Sequence, residues 1–185
     1  MSVMKECLFA ATLLAGLAVP GLAGEQVLED FTANPEQRWD YVADTVMGGV
    51  SDGQAVMAKI DGAPGMRLTG DVSTKNNGGF IQVRRMLPDG LPEGTAGLEM
   101  DVRGNGEPYY VFLRTTETTR QWFFYNVPFS TGSDWKTVRI PIEAFKRSHA
   151  HLSEKIDPQE VISIHLAAYG KDYEADLMVR EIRLY

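Results

Sequence analysis

A single cysteine, Cys7, stands in 185 residues, and it falls inside an apolar N-terminal run. Without that run the chain holds no cysteine, so disulfides are excluded and packing alone must hold the fold. Histidine is nearly as scarce, with His149, His151 and His165 the full set. Positive charge is also in short supply: 18 Lys and Arg stand against 25 Asp and Glu, a net charge of −7. Such acidity argues against a general nucleic-acid or anionic-membrane binder. No internal repeat, low-complexity segment or second hydrophobic span is present, and helical periodicity is confined to scattered single turns.

The apolar run spans 13 residues, Cys7 to Val19, and Pro20 ends it. A membrane-spanning helix needs about 20 such residues. The run follows Lys5 and leads to Gly21-Leu22-Ala23, with small residues two apart. These features predict a signal peptide over residues 1–23 with cleavage after Ala23. The expected product is one exported domain, residues 24–185, periplasmic or secreted, with no transmembrane segment.

The remaining chain reads as strands. Leu98, Met100 and Val102 alternate with Glu99, Asp101 and Arg103; Val111 and Leu113 alternate with Phe112 and Arg114; Ile162, Ile164, Leu166 and Ala168 alternate with Ser163, His165, Ala167 and Tyr169. Val138, Ile140 and Ile142 follow the same rule. Period-2 alternation marks strands with one face in a core. Further strands are expected at 54–60, 66–72, 79–85, 121–127 and 176–184. Turn signals such as Asp61-Gly62, Asn77-Gly78 and Asp89-Gly90 separate them. The total, about eight to ten strands, predicts an all-β sandwich or barrel. Helix is expected only as single turns at 142–146 and 157–161, the second opened by Asp157-Pro158.

Four segments follow in order: "WDYVADTVMGGVSDG" from Trp39, "GDVSTKNNGGFIQVRR" from Gly70, "LEMDVRGNGEPYYVFLRT" from Leu98 and "WKTVRIPIEAF" from Trp135. Together they resemble the complex I intermediate-associated protein 30 domain, over about Phe31 to Leu184. The resemblance implies a galactose-binding-like β-sandwich, a jelly roll. It also implies an assembly or chaperone role for respiratory complex I (NADH:ubiquinone oxidoreductase), which the mitochondrial member serves in the matrix. The leader predicts a location across the membrane from the matrix equivalent, so leader and resemblance point to different sites of action.

Several constellations invite chemistry. Gly49-Val50-Ser51-Asp52-Gly53 has the spacing of a serine-hydrolase elbow, but such an elbow joins a buried strand to a helix, and neither flank fits. Ser51 is instead expected to bond nearby backbone. His149 and His151 would need further ligands to hold a metal. Asp44, Asp52 and Asp71 match no calcium loop. No cofactor or metal is therefore expected, and no enzyme. The two glycine pairs, Gly48-Gly49 and Gly78-Gly79, are expected to lie together, with Asp44 or Asn76 bonding exposed backbone amides and Ser51 and Phe80 completing the loop motif. A binding surface is expected on one sheet face, formed by Arg84, Arg103, Tyr110, Arg114 and Trp122 with Asn76 and Asn77 at its rim. Phe112, Phe123 and Phe124 are expected in the core. Aromatics with a few fixed polar groups suit a glycan or a peptide. The expected function is an exported, non-catalytic binding domain for a protein partner or glycan.

Overall fold

The computed structural model describes residues 25–185, so the expected leader and its cleavage site lie outside the described residues. Twelve strands are present there: β1 (Gln26–Glu29), β2 (Trp39–Ala43), β3 (Asp52–Ile60), β4 (Ala63–Val72), β5 (Phe80–Met86), β6 (Gly97–Gly104), β7 (Pro108–Thr115), β8 (Tyr125–Ser130), β9 (Lys136–Pro141), β10 (Lys146–Arg147), β11 (Val161–Tyr169) and β12 (Tyr173–Leu184). They form two sheets. The first runs β3-β4-β12-β6-β9 with β1 also paired to β12; the second runs β10-β8-β7-β11-β5-β2. Every pairing is antiparallel.

The count exceeds the eight to ten expected because β1, β2 and β10 have four, five and two residues. Segments that short carry too few alternations to register as a period. Residues 121–124 also depart from expectation: the strand begins at Tyr125, and Gln121–Phe124 form a turn and an irregular lead-in. Of the two expected helical turns, Asp157 caps one as the sequence suggests, its carboxylate accepting from the Gln159 amide at 3.0 Å with Pro158 at the first position. The other is the turn Ile142–Ala144.

The core lies between the sheets. Met66, Leu68, Leu98, Met100, Val102, Leu177 and Val179 from the first meet Ile81, Val83, Val111, Leu113, Ile164 and Leu166 from the second, all fully buried. Each set occupies alternate positions of its strand, which leaves the other parity facing outward.

A buried carboxylate ties the two sheets together. The buried Glu29 carboxylate, in β1 of the first sheet, accepts from Arg85 Nη1 of β5 at 2.7 Å and Trp39 Nε1 of β2 at 2.9 Å. It also accepts from Arg38 Nη2 at 2.6 Å and the Phe31 amide at 2.7 Å. Burial pushes the carboxyl up, but the bonds from Arg38, Trp39 and Phe31 outweigh it and hold the group below its ordinary value. Removing one partner of a buried ion cluster strands the other charges. Glu29→Gln should therefore cost about 3 kcal/mol, or about 10 °C in Tm, at neutral pH. A depressed carboxyl stabilises fully above its unfolded value and loses that contribution as pH falls through the folded value. The gap between wild type and Glu29→Gln should thus shrink below about pH 4 in thermal melts across a pH series.

Candidate functional site

The two glycine pairs meet around one carboxylate. Asp44, with 0% exposure, opens the turn Asp44–Met47 and is flanked by Gly49 and Gly78. Its carboxylate accepts from the Ser51 amide (2.9 Å), Ser51 Oγ (2.5 Å), the Gly79 amide (2.5 Å) and the Phe80 amide (3.2 Å). The glycines are there because the backbone closes on this group. A Cβ on Gly49 would stand 2.3 Å from Asp44 Cγ, and one on Gly78 would stand 2.4 Å from Asp44 Oδ2. A Cβ on Gly78 would also reach within 3.1 Å of the Gly49 Cα, so the two motifs are in direct contact. Burial raises the Asp44 carboxyl, yet the hydrogen bonds from Ser51, Gly79 and Phe80 hold it below the ordinary range. Ser51 is buried, and its hydroxyl also accepts from the Ser73 amide at 2.9 Å. No histidine is among its hydrogen-bond partners, so the geometry is that of a loop tie.

This tie fixes one wall of a cleft of about 440 Å³ on the outer face of the second sheet. Val46, Met47, Asn77 and Gly78 form that wall; Gln121, Trp122 and Phe124 line it from the segment before β8. The floor is built by cross-strand register. Arg84 of β5 lies opposite His165 of β11, and His165 lies opposite Phe112 of β7. Gln82, Arg114 and Tyr169 complete it. The aromatics form a cluster: Phe112 stacks on Phe124 at 4.6 Å and meets Tyr169 edge-on at 5.3 Å, while Tyr110 meets Tyr169 edge-on at 5.5 Å. Val46, Met47, Trp122 and Tyr169, four of the eight large apolar residues exposed among the described residues, border this one cleft. Such concentration, with Trp122 53% exposed, is the mark of a surface that meets something.

His165 is buried in the floor and held at both nitrogens, Nε2 near Ser163 Oγ at 2.9 Å and Nδ1 near Gln82 Oε1 at 3.1 Å. Burial, with the Arg114 and Arg84 charges beside it, drops its pKa to about 3, so the ring is neutral. Arg114 is itself pushed below its ordinary value by burial and by Arg84.

The structure brings Arg84, Arg114, Trp122 and Asn77 to the cleft, with Asn76 in the adjoining turn; Tyr110 is not in its lining but lies beside it, against Tyr169. It separates Arg103, which lies on the outer face of the first sheet. There Arg103 pairs with Asp61 at 2.7 Å and stands over the Trp135 ring at 5.0 Å. Parity along a strand tells inside from outside but not which sheet the strand joins. Phe112 and Phe124 also depart from expectation: they belong to the outer face, and of the three phenylalanines named only Phe123 packs against the core cluster. The signal that marks Phe112 is the failure of alternation in Pro108–Thr115, apolar at both parities, as in a strand covered on both faces; Phe124 lies outside that strand and carries no such signal. His149 and His151 flank the Phe123 ring at 4.7 and 4.3 Å. Among the described residues, no group of three or more His, Cys, Asp or Glu is placed to hold a metal ion, and no helix is long and apolar enough to cross a membrane.

The outer face of the first sheet is chemically different. Arg67 pairs with Asp176, Arg183 with Glu99, Asp101 and Glu181, and Arg139 with Glu99. That is a charge ladder of the kind that covers a solvated sheet, each pair worth little.

The sequence matches the family described as complex I intermediate-associated protein 30 over residues 29–177. Comparison with curated proteins finds no match. Among solved structures, the chain is similar to the family 11 carbohydrate-binding module of the cellulosomal cellulase Lic26A-Cel5E of Clostridium thermocellum, with TM-score 0.72 and 20% identity, covering 87% of this chain and 94% of that one. A family 11 module from the same organism, in complex with a β-1,3-1,4-mixed-linked tetrasaccharide, gives TM-score 0.70 and 19% identity over 86% and 94%. The agarase AgWH50C gives TM-score 0.59 and 10% identity over 87% of this chain and 24% of that one. At these identities the likeness is one of fold, the galactose-binding-like β-sandwich.

The Asp44 tie yields a direct test. Gly49→Ala and Gly78→Ala should each cost about 3 kcal/mol, by forcing Cβ into the carboxylate. Gly132→Ala has no atom within 4 Å of the added carbon and should change stability by less than about 0.5 kcal/mol. Urea unfolding of the three variants measures the contrast.

Proposed function

The chain belongs to the complex I intermediate-associated protein 30 family, and within it we propose a non-catalytic, exported domain that binds carbohydrate through the outer face of the second sheet. One observation carries this reading. Four of the eight large apolar groups exposed among the described residues, Val46, Met47, Trp122 and Tyr169, gather on one cleft with a few fixed polar ones, while the outward arginines of the opposite sheet are paired with carboxylates. An amphipathic ring such as Trp or Tyr offers a flat apolar surface to the C–H face of a pyranose, and neighbouring amides and guanidinium groups meet its oxygens. The sandwich shared with carbohydrate-binding modules supports the reading. The hydrogen-bonded burial of Ser51 supports a non-catalytic role.

The test is a glycan array carrying neutral and acidic oligosaccharides, followed by titration calorimetry on the hits. Trp122→Ala should weaken binding about tenfold or more with Tm unchanged. Arg67→Ala, on the opposite sheet, should leave affinity as it was. A blank array at high protein concentration would contradict the proposal.

The family match supports a second reading, in which the same face holds a protein of assembling respiratory complex I. Affinity capture from native cells separates the two: recovery of complex I subunits, abolished by Trp122→Ala, would favour assembly. The apolar run at Cys7–Val19 supports export. N-terminal sequencing of the protein from producing cells should begin at Gly24, and a full-length cytoplasmic chain would refute the export proposal.

A further inference from the structure

The lining of the cleft contains arginine but no Asp or Glu. In a chain with 25 acidic residues against 18 basic, this is a local reversal of charge. Arg84 touches one carboxylate, Asp40 at 3.1 Å, on the exposed edge strand β2, and its buried Nε has no partner. Arg114 is held by backbone, its Nη2 donating to the carbonyls of Thr118 at 2.5 Å and Arg120 at 2.9 Å. No carboxylate within the described residues pairs with it in a salt bridge. The two guanidinium groups flank β11, since Arg84 is opposite His165 and Arg114 opposite Ser163. Two strand spacings and a two-residue stagger put their backbones about 12 Å apart. The buried His165 between them is tied to Ser163 and Gln82 and adds no negative charge.

The balance of donors and acceptors matters here. A neutral sugar offers hydroxyls that donate as well as accept, and ionised carboxylates are the strongest side-chain acceptors for them. This cleft has none. Its side-chain amide acceptors are those of Asn77, Gln82 and Gln121, and Gln82 is already engaged by His165. Guanidinium donors are in excess, so the missing acceptor must arrive with the ligand.

We infer that the cleft selects an acidic sugar, a uronate whose carboxylate lies between Arg84 and Arg114 while its ring rests on the exposed aromatics. The inference rests on the carbohydrate reading of this face and narrows it to one ligand class. Arg supplies planar, permanently charged donors that match a carboxylate, and the apolar rim around them weakens solvent screening.

Titration calorimetry with tetrasaccharides of galacturonate, mannuronate and glucuronate, against neutral and sulfated tetrasaccharides, tests it. At least one uronate should bind about tenfold more tightly than any neutral ligand. Raising NaCl from about 50 to about 500 mM should weaken uronate binding and leave neutral binding nearly unchanged. Arg84→Gln should remove the preference for the uronate, with folding checked by circular dichroism and Tm. Arg114→Gln should do the same, but Arg84→Gln is the decisive variant because Arg114 also holds the 118–120 turn. Neutral ligands binding as tightly as uronates, or Arg84→Gln weakening both classes alike, would overturn the inference and leave the carbohydrate reading intact. A sulfated ligand binding more tightly than every uronate would overturn the carboxylate assignment. Binding by none of these ligands would overturn the inference and count against the carbohydrate reading as well.

Discussion

The Asp44 carboxylate is buried where the two glycine pairs converge, and four donors satisfy it. A buried charge is tolerable only when it is fully bonded. Here the donors include backbone amides, which can come close enough only because Gly49 and Gly78 lack a Cβ. The consequence runs outward. The turn Asp44–Met47 and the turn at Asn77 are locked to each other, and that locked pair is one wall of the cleft. The fragment that spells a hydrolase elbow is therefore part of the same tie: Ser51 bridges Asp44 to Ser73, and its hydroxyl serves as both donor and acceptor within the fold.

The sandwich has two outer faces made by the same alternation, and they have different uses of charge. On the first sheet nearly every outward arginine meets a carboxylate or a ring: Arg67 with Asp176, Arg183 with Glu99, Arg139 over Tyr185 at 3.6 Å, Arg180 over Trp135 at 4.0 Å. On the second sheet, Phe112 packs against Phe124 and Tyr169, while Trp122 and Tyr169 keep exposed area at the cleft. Arg84 and Arg114 stand among these rings with donors to spare, beside a histidine kept neutral by burial and by their charge. Unmet apolar area and charged donors on one face are what the proposed binding role rests on.

Much of this was legible in the residues. The alternation at Leu98–Val102 and Ile164–Ala168 reports core-facing strands, and the order "DTVMGG" then "NNGGF" carries the family and the loop contact. The face was only half legible. Arg84 and Arg114 can be assigned outward by parity, and both are on the second sheet. Arg103 obeys the same parity but sits on the first, because sheet membership is decided by pairings such as β6 with β12, which are far apart in sequence. Phe112 and Phe124 read as core by hydrophobicity, yet an aromatic can be covered by other aromatics on an outer face. The role of His165 was hidden for the same reason: its neighbours Gln82 and Arg84 come from β5, about eighty residues earlier.

The proposed ligand surface is the outer face of the second sheet. Two-dimensional nitrogen–proton NMR of the labelled protein, titrated with an oligosaccharide panel, reads that face residue by residue. Amide shifts should concentrate in β5, β7 and β11, in the turns holding Met47 and Asn77, and at the Trp122 indole. Shifts centred on Arg67, Arg103 and Trp135 of the opposite face, or no shifts at millimolar ligand, would contradict it.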